Sequence, residues 1–341
     1  MHSLPKVNPP PHFTAEGILA RARSADDGPP SNSAKAWAKE SAAQKNSDAL
    51  ATYKLLVSAV KLIDKAHAWP TDLPPYRIDI VDGAEFATAS DPGNIVDPDV
   101  SLYAGKNLHI RVGLKFLRSP AALHFHKGNI DAEQAYVFFL CHEIFHLSEI
   151  KRQRDCKFPA NLARNGFAKS VRPEMNAEWV QVVRDLAAEC RSRMLDQKRI
   201  ASPPDPQVAT VEALRAADTA SEACADLQAL AAHERIYGPK ARLALQTVLL
   251  SQRISDETAG IGAYQIGQTM AAILSTIPTL TNNSIVLATW ESARASIAAA
   301  SDVSPALRAK VANCPMTFDR PLPELPTRKS LSTRAGRLMR R

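Results

Sequence analysis

Apolar residues recur at two different periods along this chain. Between Lys35 and about Ala68, Leu55, Leu56, Val60 and Leu62 fall at helical spacing and predict a long amphipathic helix. Two segments alternate at period two instead. "YRIDIVD" at 76–82 and "NLHIRVG" at 107–113 predict short strands, with "SDPGNIVDPD" between them as a loop. "RSPAALHFHKGN" then reads as a connection. A very apolar run follows, and it predicts a helix from Asp131 to about Lys151. Asp131 serves as N-cap and Gln134 completes a pattern like a capping box. A second strong helix is predicted from about Glu174 to Lys198. "ASPPDPQ" at 201–207 breaks the pattern, and Ala/Leu-rich runs to about Ala312 predict four or five further helices.

These elements imply an α+β, mostly helical chain. A flexible leader covers 1–33, a small sheet with its helices occupies 34–200, an all-α domain follows over 207–313, and a Pro-rich basic tail ends the chain at 314–341. Composition agrees: 45% of the residues are hydrophobic and only 6% aromatic. The net charge is +7, with Arg328, Lys329, Arg334, Arg337, Arg340 and Arg341 near the end. No aromatics interleave with these cations, so a solvated tail is expected rather than a nucleic-acid platform. Five cysteines with no CxxC pair imply reduced thiols rather than a disulfide framework. The N-terminus has no apolar core of a secretory signal, and no run of about 18 apolar residues predicts a membrane span. A cytoplasmic protein is expected, with signal-independent secretion left open.

The chemistry concentrates in "YVFFLCHEIFHLSE" at 136–149. His142, Glu143 and His146 fit H-E-x-x-H on a helix. Positions i and i+4 share one face, so two imidazoles can reach one Zn²⁺ at about 2.0–2.1 Å, while the intervening Glu can act as base toward an attacking water. The bland alternative is a core helix with two satisfied histidines. Burying two imidazoles and a carboxylate among Phe138, Phe139, Leu140, Ile144 and Phe145 demands strong partners, and a metal supplies them. A third ligand is needed. The form H-E-x-x-H-x-x-G-x-x-H is not met, because Glu149 and Arg152 stand at its last two positions. The helix over 174–198 offers Glu178, Asp185 and Glu189 on one stripe.

Together the two helices resemble HExxH zinc metallopeptidases of the gluzincin-like group, whose third ligand comes from a downstream helix. In several such families that helix carries a motif like E-x-x-A-D. Its Glu binds zinc, and its Asp, one turn on, holds a ligand histidine. Asp185-Leu186-Ala187-Ala188-Glu189 matches with the two acids exchanged. In register, Asp185 is the ligand; by side-chain chemistry it is Glu189, the favoured choice, with Glu178 an outsider. The layout over 76–198 is also similar to minimal zincins such as Lit-type phage-exclusion peptidases and ImmA/IrrE-like peptidases. The resemblance implies a zincin-like domain over 34–200 and a zinc endopeptidase acting on a protein substrate, with Glu143 as general base. By the same analogy "NLHIRVG" is the sheet edge to which substrate adds as a strand. The second reading is a zincin-derived sensor or binding module with a structural or regulatory zinc. Isolated histidines His124 and His126 are expected in a surface loop, and Cys141 and Cys190 as small core residues.

Overall fold

The computed structural model describes residues 5–22, 32–66, 68, 75–82, 102–105, 109–155, 176–200, 212–259, 266–277 and 279–319. The chain forms two compact units. One contains Met1–Leu62 with Pro75–Leu140, the other Ile63–Pro74 with Cys141–Arg341. The boundary therefore falls inside the H-E-x-x-H helix. It does not fall at 201–207, since the helices on either side of that stretch belong to the same unit.

In the first unit four strands form a sheet in the order β1-β2-β4-β3: β1 (Lys6–Val7), β2 (Arg77–Val81), β3 (Leu102–Gly105) and β4 (His109–Gly113). β1, β2 and β4 are parallel, and β3 is antiparallel to β4. The period-two alternation is realised in register. Ile78 pairs with Ile110 and Ile80 with Val112, and all four side chains are buried. Each contributes roughly 1.5–3 kcal/mol by leaving water. The intervening Asp79 and Arg111 take the other face.

Two expectations are corrected here. β4, the heart of "NLHIRVG", is bonded on both sides, by β2 and β3, so it offers no free edge for a substrate strand. The leader also contains structure: β1, and a helix α1 (Ala15–Ala22). Asn8 donates its backbone N–H to Ile78 O and its side-chain amide to Asp79. Phe13, itself buried, exchanges two hydrogen bonds with the Asn46 side chain. Short-range periodicity could not announce these contacts, because their partners lie more than thirty positions away in sequence. Residues 1–4 and 23–31 of the leader and 320–341 of the tail lie outside the described residues.

The long helix α2 (Asn32–Lys65) carries Ala38, Ala42, Ala49 and Leu56 on its buried face. The connection at 118–129 contains a helix, α3 (Pro120–Lys127), capped by the Ser119 hydroxyl with Pro120 in its first turn. His124 and His126 therefore sit on this helix rather than in a loop. α4 (Ala132–Asp155) starts as predicted, with Asp131 accepting from the Gln134 N–H and the Gln134 side chain returning to Asp131. In the first unit its aromatic residues close the core. Phe139 stacks on Phe125 and meets Phe116 edge-on at a centroid distance of 5.0 Å in each case.

The second unit continues α4 from Cys141 and adds α5 (Ala177–Ile200), α6 (Glu212–Tyr237), α7 (Pro239–Thr258), α8 (Gly267–Thr276), α9 (Asn282–Ala299) and α10 (Pro305–Asn313). α6 is its central helix. From Ala223 to Leu230 every residue is buried, and α9, α7 and α8 pack around it. A helix buried on all sides over two turns is a core helix, and here it carries the polar residues Asp226 and Gln228 inward as well. Alanine at positions 223, 225, 229 and 232 lets the neighbours approach closely. Trp179 of α5 and Trp290 of α9, both buried, meet at 6.4 Å. No described helix is long and apolar enough to cross a membrane.

Candidate metal centre

Two histidines and one glutamate converge in the second unit, and the glutamate is Glu222 rather than Glu189, Asp185 or Glu178. His142 Nε2 lies 3.0 Å from His146 Nε2. A carboxylate oxygen of Glu222, on α6, stands 3.2 Å from the first and 3.5 Å from the second. Helix periodicity stacks the two imidazoles one turn apart on α4, and α6 presents Glu222 to both. Their side chains are only 7%, 12% and 12% exposed.

Each imidazole is held from behind. His142 Nδ1 donates to Asp226 Oδ1 at 2.8 Å, and His146 Nδ1 to Glu149 Oε2 at 3.1 Å. These carboxylates are themselves anchored. Arg253 of α7 bonds both oxygens of Asp226, at 2.8 and 3.1 Å, and the Ser221 hydroxyl donates to Glu149 at 3.0 Å. With both Nδ1 atoms donating, both Nε2 atoms turn a lone pair inward. Two lone pairs and a carboxylate oxygen then face one another within 3.5 Å, an arrangement that repels unless positive charge sits among them.

The donor triangle fits a metal. Ligands about 2.0–2.1 Å from a tetrahedral zinc stand about 3.3–3.4 Å apart, and the three edges here measure 3.0, 3.2 and 3.5 Å. Without a metal, protons take its place. Burial acts to lower the His142 imidazolium, but hydrogen bonds to Asp226 and Glu222 outweigh it and carry it up to about 9. For His146 burial again opposes the charge, and Glu222 and Glu149 raise it well above the ordinary imidazole range. Burial would raise Glu222, yet the two histidines hold it well below the usual carboxylate range. Asp226 is likewise held low against its burial, by the Arg253 charge and by His142.

The carboxylates expected as third ligand stand elsewhere, and this corrects the assignment of the third donor. Glu189 accepts from the backbone N–H and hydroxyl of Ser304, at 2.5 and 2.7 Å, and pairs with Arg193. It thus serves the N-terminus of α10, where unbonded N–H groups and the helix dipole favour an anion. Asp185 pairs with Gln181 and Lys310. Glu178 is exposed. Their common stripe reflects pairing with α10 and solvent. Glu143, next to His142 on α4, is half-buried. Cys141 is buried and its thiol is raised by burial, as expected of a core residue. Cys190 is likewise buried, and burial pushes its thiol up to about 12.

The missed signal was in the sequence. Glu222-Ala223-Cys224-Ala225-Asp226 is E-x-x-A-D without exchange. Its Glu faces the histidines, and its Asp, one turn on, holds His142. Comparison of the chain with protein-family models, with curated proteins and with solved structures gave no match.

Proposed function

We propose that the chain is a zinc-dependent peptidase in which His142, His146 and Glu222 hold the metal and Glu143 is the general base. The observation that carries this reading is the donor triangle, with both imidazoles oriented by carboxylates and an intact glutamate beside the first of them. The cluster has three members among the described residues. Three protein donors leave a tetrahedral ion one open position, the pattern of hydrolytic rather than structural zinc sites.

Zn²⁺ held there supplies a Lewis acid and lowers the pKa of a bound water toward neutrality. The chain's own residues do the rest. Asp226 and Glu149 fix the imidazoles so that neither ring turns its N–H inward. Glu143 removes the proton from the attacking water and hands it to the departing amine nitrogen. The reading that zinc serves only structure or sensing is disfavoured by Glu143, which such a site does not need.

The test measures bound zinc together with cleavage of a mixed peptide library, for the wild type and for Glu143→Gln. Stoichiometric zinc in both forms, with cleavage only by the wild type, is expected. Zinc without cleavage by either form favours the sensor module. A wild type that binds no zinc overturns the reading.

A further inference from the structure

Arg253 belongs to α7, a helix that contributes no donor to the triangle, yet its side chain is only 7% exposed. Its guanidinium forks onto Asp226, with Nε 2.8 Å from Oδ2 and Nη2 3.1 Å from Oδ1. Nη1 lies 3.5 Å from Asp256 one turn along α7. Asp226 Oδ1 thus receives the Nη2 arm of the Arg253 fork together with the His142 Nδ1–H, while Oδ2 receives the Nε arm. Two parallel bonds stop the carboxylate rotating, which a single point charge cannot do.

Two further features single out this arginine. The first is its backbone. Gly267 opens α8, and a Cβ there would stand 2.6 Å from Ile254 N and 2.8 Å from the Arg253 carbonyl carbon. Only glycine permits this approach, so α8 presses directly on the α7 backbone that carries Arg253. The second is charge. Glu222, Asp226 and Glu149 bring three carboxylates to the histidines. Arg253 is the cation that pairs with Asp226, and it also serves Asp256. A buried carboxylate left unbalanced is costly.

We propose that Arg253 is a positioning residue for the metal centre. Through Asp226 it locks the His142 ring with Nε2 inward and offsets the charge of that carboxylate. This inference rests on the metal reading above. The test titrates zinc against a chromophoric chelator and records the visible spectrum of the Co²⁺-loaded protein, for the wild type, Arg253→Met, Arg253→Lys and Arg242→Met. Arg242 lies on the same helix and pairs with Glu234 away from the histidines, so it controls for loss of any α7 arginine. Arg253→Met is expected to bind zinc about 10–100-fold more weakly and to shift the Co²⁺ bands. Arg253→Lys, which keeps the charge but lacks the fork, should also fall below the wild type, while Arg242→Met should match it. Where circular dichroism shows the methionine variant unfolded, the lysine variant is read alone. Arg253→Lys with wild-type zinc affinity and an unchanged Co²⁺ spectrum overturns the inference and leaves the metal reading standing. A wild type that takes up neither ion removes the metal reading itself.

Discussion

Glu222 and Glu189 are both acids on helices of the same unit, but the structure gives them opposite tasks, and two substitutions separate those tasks. Glu222→Ala removes one corner of a triangle whose edges are 3.0, 3.2 and 3.5 Å. Tetrahedral zinc sites with four protein donors bind with roughly 10–16 kcal/mol, or about 2.5–4 kcal/mol per donor. At 1.4 kcal/mol per tenfold, losing one donor weakens binding by about 10²–10³-fold. Glu189→Ala removes the acceptor for the Ser304 N–H and hydroxyl and the partner of Arg193. That loss resembles removal of a helix cap and costs about 1–2 kcal/mol of stability. The assay pairs chelator competition for zinc with urea unfolding in excess EDTA. Glu222→Ala should fail the first measurement. Glu189→Ala should keep zinc affinity and lose unfolding free energy in the second. Asp185→Ala should lose neither by much, since its partners Gln181 and Lys310 are near solvent. Zinc lost by Glu189→Ala or Asp185→Ala and retained by Glu222→Ala would refute the assignment.

Further outcomes follow from the same geometry. Asp226→Asn leaves Arg253 facing an amide and frees the His142 tautomer, so zinc affinity should fall about 10–100-fold in the competition assay. Because His142 titrates near 9 and His146 is raised well above the ordinary range, zinc uptake at pH 7 must expel protons. Calorimetric heats should therefore depend on the buffer's ionisation enthalpy, and affinity should climb toward pH 9. The metal-free protein responds to pH in both directions. The raised histidines stabilise fully below the free imidazole value of 6.5, and that stability is lost as pH rises through about 9. The lowered Glu222 and Asp226 stabilise above the ordinary values of 4.5 and 3.8, and that stability is lost as pH falls through the depressed ones. Thermal melts in EDTA should therefore peak between about pH 5 and 6.5, and a midpoint still climbing from pH 7 to 9 would contradict the cluster. Trp179→Ala empties a fully buried site against Trp290 and should cost about 3–5 kcal/mol in urea unfolding.

His142 and His146 were legible because the i, i+4 relation is local, and a helix enforces it whatever surrounds it. The third donor was not, because it depends on which distant helix packs against α4. The acidic stripe of α5 offered carboxylates on a half-apolar face, and sequence cannot tell a metal from the N-terminus of α10 as their partner. Proximity along the chain favoured α5 as well, since α6 begins beyond the Pro-rich stretch that reads as a boundary. What distinguishes Glu222 and Asp226 is their setting. They are acids in an alanine-rich helix buried on nearly all sides, where an unpaired charge is far less tolerable than on α5. β2 and β4 were likewise visible from alternation. β1 and β3 were not, being two and four residues long and fixed by pairing rather than by their own pattern.

The depth of the histidine pair has a kinetic consequence. Donor side chains 7–12% exposed would slow a chelator or exchanging ligand that must displace them one at a time. The donors come from two helices, and the His142–Asp226 bond ties those helices together across 84 residues of chain. On the metal reading, local opening of the α4–α6 pair would contribute to the rate at which the ion leaves. Its half-life should follow the slowest amide hydrogen exchange in α6 and shorten with the same dependence on denaturant. The exchange rate of the ion would thus act as a clock for the opening of that core.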